Sequence, residues 1–123
     1  MTIIELITDV DEMKPNGYEQ IYKIQWLSQL DGRIKDEIID THEGGEDVTF
    51  SGYDASTPLS DHLLVTEPYD DVYRYWLEAQ IDYANGEYTK YNNSMSMFNE
   101  AYSAYSRYYN KTHMPKGKSI KYF

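Results

Sequence analysis

Residues 77–109 read LEAQIDYANGEYTKYNNSMSMFNEAYSAYSRYY. Ten of its apolar and aromatic residues form a seam: Leu77, Ile81, Ala84, Tyr88, Tyr91, Met95, Phe98, Tyr102, Tyr105 and Tyr109. The steps between them alternate four and three without a slip, the repeat of a helix laid against other helices. The spacing predicts a mainly α fold: a small helical bundle built on one long C-terminal helix. Half of this seam is tyrosine, which buries a ring but keeps a hydroxyl in need of a partner, so a packing surface with a wet edge is expected. Asn85-Gly86 reads as a helix stop, and Asn92-Asn93-Ser94 is poor helix material. Because the seam keeps its phase across both, the reading favours one helix over about 68–111, roughly 65 Å long at 1.5 Å per residue, with a kink at Gly86. Two helices joined at Gly86 is the alternative.

Outward from the seam, Glu67-Pro68 opens the helix, with Asp70 and Asp71 beside its positive end. Upstream, Thr2 and Glu5 form a capping box for a first helix over 2–14, whose apolar residues are Ile3, Leu6 or Ile7, Val10 and Met13. Pro15-Asn16-Gly17 ends it. Asn16 and Glu19 offer a second capping box and a second helix to about His42, with Ile21, Ile24, Leu27, Leu30, Ile34 and Ile38 on its buried face. Trp26 lies off that line and is expected to cover a neighbouring element. Gly32, inside the helix, marks a close approach by another helix or a cost of about 1 kcal/mol. Gly44-Gly45 supplies the stop. Residues 43–66 contain two short apolar runs, Val48-Thr49-Phe50 and Leu63-Leu64-Val65, separated by turn residues, and read as a small hairpin or an extended flap. The chain thus divides into a helical domain, 1–111 with flap 43–66, and an extended tail, 112–123.

Charge makes the same division. Residues 1–106 hold all 21 acids and six of the bases, so 6 − 21 = −15, while residues 107–123 hold five bases and no acid, +5. An acidic body repels nucleic acid, and a basic tail on it is a separate object with a separate partner. The tail ends in Ile120, Lys121, Tyr122 and Phe123, an alternation that fits an extended segment with one apolar edge. Hydrophobic residues make up 41% and aromatics 15% of the chain, so the core draws heavily on Tyr, Trp and Ile. The absence of cysteine excludes disulfides, thiolate metal sites and cysteine nucleophiles. The first residues lack the basic flank and apolar run of a signal peptide, and no segment reads as membrane-spanning, so synthesis in the cytosol is expected.

No catalytic constellation is legible. His42, His62 and His113 are not at helical spacing from one another, and a surface position is expected for each. Asp9, Asp11 and Glu12 lack the glycine and spacing of a calcium loop. No Ser/His/Asp arrangement or glycine-rich phosphate loop is present. The expectation is a non-enzyme without metal or cofactor. Asn92-Asn93-Ser94 and Asn110-Lys111-Thr112 match the glycosylation pattern, which carries no weight without a secretion signal.

Three stretches together carry a resemblance. They are Trp26 to Ile34 running on to Glu37-Ile38-Ile39-Asp40-Thr41-His42-Glu43-Gly44; Leu63-Leu64-Val65 with Glu67-Pro68-Tyr69-Asp70 and Trp76 to Asp82; and Gly86-Glu87-Tyr88, Tyr91-Asn92-Asn93, Phe98-Asn99 and Tyr108 to Pro115. In this order the chain resembles small head–tail connector (adaptor) proteins of tailed bacteriophages. The resemblance implies a non-enzymatic virion neck protein that is made in the host cytoplasm. It implies a ring, twelve-fold as a rule, under the portal protein, docking a head-closure (stopper) or tail neck protein and letting double-stranded DNA pass without specific binding. It also implies that the C-terminal segment reaches into the portal. Here that segment's contact residues would be Lys111, Lys116, Lys118, Ile120, Lys121, Tyr122 and Phe123. An acidic body would suit a channel through which DNA slides, since phosphate binding needs basic groups, and a ring with the acids at 9, 11, 12, 36, 37 and 40 facing outward would contradict this. The competing reading is an acidic DNA mimic or small protein inhibitor.

Overall fold

The computed structural model describes residues 1–116 as four α-helices packed into one bundle. Helix α1, Ile3–Met13, starts at the capping box read from sequence: the Glu5 amide donates to the Thr2 hydroxyl, and the Thr2 amide to the Glu5 carboxylate. Its Ile3, Leu6, Ile7 and Val10 are buried, whereas Met13 is exposed at the helix end. Helix α2 spans Gln20–Ile34 and starts later than expected. The Asn16 side chain accepts from the Tyr18 amide and donates to Asp11 and to the Lys14 carbonyl, so it closes a turn instead of capping a helix. The expected buried line of α2 holds for Ile24, Leu27, Leu30, Ile34 and Ile38, and Ile21 is half-buried. Trp26 packs edge-on against Tyr18 and offers its carbonyl to the Trp76 indole at 2.8 Å. A side chain at Gly32 would make ordinary contact, 3.7 Å, with Phe50 of the flap, so the glycine marks no close helix approach.

The seam does not form one helix. Helix α3, Asp71–Ala84, and helix α4, Tyr88–Thr112, fold back on each other as the most extensively packed pair in the molecule. The Glu87 amide donates to the Asp82 carbonyl and the Gly86 amide to the Tyr83 carbonyl, with Gly86 at φ +75°. That is the paired 6→1 and 5→2 closure of a helix by a left-handed glycine. The phase of the seam survived because both arms of the hairpin present a stripe to a shared core. Leu77, Ile81, Phe98, Tyr105 and Tyr109 are buried, and Tyr91, Met95 and Tyr102 are half-buried. Ala84 and Tyr88, next to the turn, are exposed.

Of the hairpin and the extended flap expected over 43–66, the flap is the one found: among the described residues, 48–70 contain no strand. The reason is that its backbone donors are used elsewhere. The amides of Leu63, Leu64 and Val65 donate to the Met1 carbonyl, the Asp31 carboxylate and the Tyr73 hydroxyl. In return the carbonyls of Leu59 and Asp61 accept from the Ile4 and Ile3 amides, free donors at the start of α1. No described helix is long and apolar enough to cross a membrane.

Candidate interaction surface

The C-terminal end of α4 is fixed by a corner that begins in α2. Beyond Ile34 the helix continues as a π-turn, Lys35–Ile39, in which the Asp40 amide reaches back to the Lys35 carbonyl at 2.8 Å. The extra residue carries His42 inward. Gly44 then takes φ +84°, and a side chain at Gly45 would stand 2.4 Å from the Ile39 carbonyl oxygen, so both glycines are required by the corner. Lys35 ties it further, pairing with Asp40 and donating to the Gly45 carbonyl.

Against this corner lies the chain leaving α4. The Glu43 amide donates to the Met114 carbonyl (2.8 Å) and the Lys116 amide to the Thr41 carbonyl (2.9 Å). Between them His42 is buried, contrary to the surface position expected for it. Its Nδ1 lies 2.6 Å from the Ile38 carbonyl oxygen and its Nε2 lies 2.6 Å from Asn110 Oδ1, with Tyr109 edge-on to the ring. His113 is half-buried, stacked on Tyr109 at 3.8 Å between centroids. His62 is exposed. The sequence held one signal for His42 that went unused: it falls four residues after Ile38, on the extension of the buried line of α2.

Of the expected portal-contact residues, Lys111 is exposed in the last turn of α4, where its charge suits the negative end of the helix. Lys116 is exposed on the corner, 3.8 Å from Glu46. Lys118, Ile120, Lys121, Tyr122 and Phe123 lie outside the described residues.

The carboxylates at 9, 11, 12, 36, 37 and 40 are partly engaged within the chain. Asp11 accepts from buried Lys23 (2.7 Å), Asp40 pairs with Lys35, and Glu37 accepts from Arg33 (2.9 Å) and the Tyr102 hydroxyl (2.6 Å). The Tyr102 hydroxyl, then Arg33, hold Glu37 below the usual carboxylate range, and the Arg33 guanidinium sits 4.8 Å over the Tyr102 ring. Asp9, Glu12 and Asp36 are exposed.

A second polar cluster is internal. Asp31 is fully buried and accepts from the Tyr53 hydroxyl (2.5 Å), the Tyr73 hydroxyl (2.6 Å) and the Leu64 amide (3.1 Å). Burial raises the Asp31 pKa against the pull of these three donors, and burial beside Asp31 also raises Tyr53 and Tyr73. A carboxylate with this burial and these partners joins α2, α3 and the flap and offers no access to a substrate. Likewise Asp82, 1% exposed, accepts from Lys14 (2.5 Å) and Ser94 (3.0 Å), tying α1, α3 and α4 together. Among the described residues no group of three or more metal-binding side chains converges.

The class this architecture defines is a four-helix bundle with a flap pinned by a buried carboxylate and a basic chain end held at one corner. No protein-family model matches the chain, and the curated proteins and solved structures compared with it gave no match either.

Proposed function

We propose that the chain is a head–tail connector of a tailed bacteriophage: a structural, non-enzymatic neck protein that forms a ring under the portal, docks the next neck protein and lets DNA pass through its lumen. The observation that carries this reading is the corner at residues 41–45. It uses a π-turn, two required glycines and a buried histidine to fix where a basic segment leaves an acidic body. A domain whose purpose is to present that segment to a partner has a use for such a corner. The residue-level resemblance supplies the partner, a portal protein. The ring, its twelve-fold order and its place in the virion neck follow from that resemblance and belong to the same proposal. The competing reading is an acidic DNA mimic, and the exposed Lys111 and Lys116 at the chain end argue against it.

Truncation tests the reading. Pro115 and Lys116 belong to the corner, so the cut is best made after Lys116. Deletion of residues 117–123 is expected to leave the helical circular dichroism unchanged and to abolish binding to the portal protein encoded in the same gene cluster. Portal affinity equal to that of the full chain would remove the proposal.

A further inference from the structure

A second surface feature is independent of the corner. Where the start of α3 crosses the middle of α4, a groove of about 320 Å³ opens between Pro68, Tyr69 and Tyr75 on one side and Met97, Ala101 and Ala104 on the other. Its floor is low because α4 carries alanine twice there, between the larger Met97 and Tyr108. Met97 is 45% exposed, Tyr108 is 40% exposed, and Tyr69 stacks on Tyr108 at 4.6 Å. Glu100 and Asp71 stand at the rim. This volume is at the lower end of the range for binding pockets. It accepts ring-sized side chains and is too small for a helix. A flexible methionine beside rigid aromatic walls suits an apolar anchor.

The chain itself contains a segment of that chemistry. Residues 117–123 carry Ile120, Tyr122 and Phe123 as apolar anchors and Lys118 and Lys121 as the only charged side chains. The remainder of the chain, 1–116, has 9 bases and 21 acids, a net charge of −12. We propose that this groove receives residues 117–123 of a second copy of the chain, with the rings in the groove and the lysines toward Glu100 and Asp71.

The reach of the tail decides between its own groove and a neighbour's. On α4, Ala104 and Met97 precede His113 by nine and sixteen residues, so the groove lies roughly 14–24 Å back along the helix at 1.5 Å per residue. The chain leaving α4 runs first along Thr41–Glu43, on the α2 side, whereas the groove is on the α3 side. Seven residues span at most about 23 Å when fully extended. A tail reaching back to its own groove spends about four residues on the path and brings only Tyr122 and Phe123 to the near end, so Ile120, Tyr122 and Phe123 cannot lie in it together. Docking between copies has no such limit. It is a heterologous contact, which repeats from copy to copy and closes as a ring if the rotation permits. Closure into a ring rests on the connector reading, whereas the contact does not. On the connector reading the portal competes for the same tail, so the contact between copies belongs to the chain before it meets the portal.

The natural chain has no cysteine, so disulfide trapping in the full-length protein is clean. One chain carries Ala104→Cys and the other Ile120→Cys, and the two are mixed under mild oxidation without portal. The expected result is a thiol-reversible dimer, formed at least about tenfold more than with Ser103→Cys, an exposed position about 100° away around α4 and outside the groove lining. Adding Ala104→Glu to the otherwise natural chain should abolish self-association in light scattering with unchanged circular dichroism. Equal trapping at Ser103 overturns the proposal. So does a disulfide that forms within one chain when both cysteines are placed on it and the protein is diluted, because that result puts the tail in its own groove. Portal binding enters neither readout, so failure here is distinct from failure of the connector reading.

Discussion

Asp31 is the residue on which most of the fold converges. Its carboxylate satisfies two tyrosine hydroxyls and one flap amide in a site with no solvent. Losing a buried partner leaves the full desolvation cost of the group left behind, about 1–3 kcal/mol. Tyr73→Phe removes a donor to Asp31 and the acceptor of the Val65 amide, while Tyr53→Phe removes a donor from a half-buried ring. We expect Tyr73→Phe to cost about 2–3 kcal/mol and Tyr53→Phe about 1 kcal/mol in urea unfolding. Asp31 also has a pH signature. Its folded pKa is raised above the ordinary value of 3.8, so the folded state holds the proton more tightly than the unfolded chain. The stability from that proton is full below pH 3.8 and is lost as pH rises through the raised value. Relative to Asp31→Asn, which keeps the neutral shape, the natural protein should therefore lose stability as pH rises through that window. A difference between the two that is flat, or that rises with pH, would contradict this. The sequence contained the clue: Asp31 follows Leu27 by four residues on the apolar line of α2. A polar residue on a buried line needs partners, and these came from elements far away in sequence, which no local pattern announces.

At the scale of elements, the two-helix alternative is the one found. A repeat of 3.5 residues reports which side chains share a face and does not report connectivity. Two antiparallel helices that pack together each carry such a stripe, and here the turn between them has a length that preserves the phase. The local signal Asn85-Gly86 described the chain correctly and was outweighed by the longer-range pattern. The capping box at Thr2 was legible because both partners lie within one turn, whereas Asn16 found nearer partners than a helix start. Of the hairpin and the extended flap, the flap is the one found, because its amides bond to Met1, Asp31 and Tyr73, long-range partners again. Gly86 gives a direct check of the helix hairpin. A left-handed φ disfavours a β-carbon, so Gly86→Ala should destabilise by about 1 kcal/mol or slightly more. Gly17→Ala, with open space around it and no left-handed φ, should be near neutral. In a continuous helix Gly86→Ala would stabilise instead, so the sign of the change separates the two architectures.

At the scale of the molecule, the account is of an acidic body with two distinct surface features. One is the corner at residues 41–45, which fixes the exit of the basic tail. The other is the groove between α3 and α4. The charge division was legible from sequence, whereas the tail expected over 112–123 is tied to the body as far as Lys116, and the rest of it lies outside the described residues. The corner was not legible, because a π-turn and a buried histidine arise from packing between α2 and the end of α4. The groove was hidden because Met97, Ala101 and Ala104 lie off the seam that organised the reading.

On the connector proposal, this body assembles as a ring on a portal. The most direct measurement is the mass of the complex, by light scattering, when the full-length chain is mixed in excess with the portal protein of its gene cluster. The account predicts one complex of fixed composition, with as many copies of the chain as the ring requires, that is lost when residues 117–123 are removed. A chain that elutes at its own mass beside free portal would contradict it.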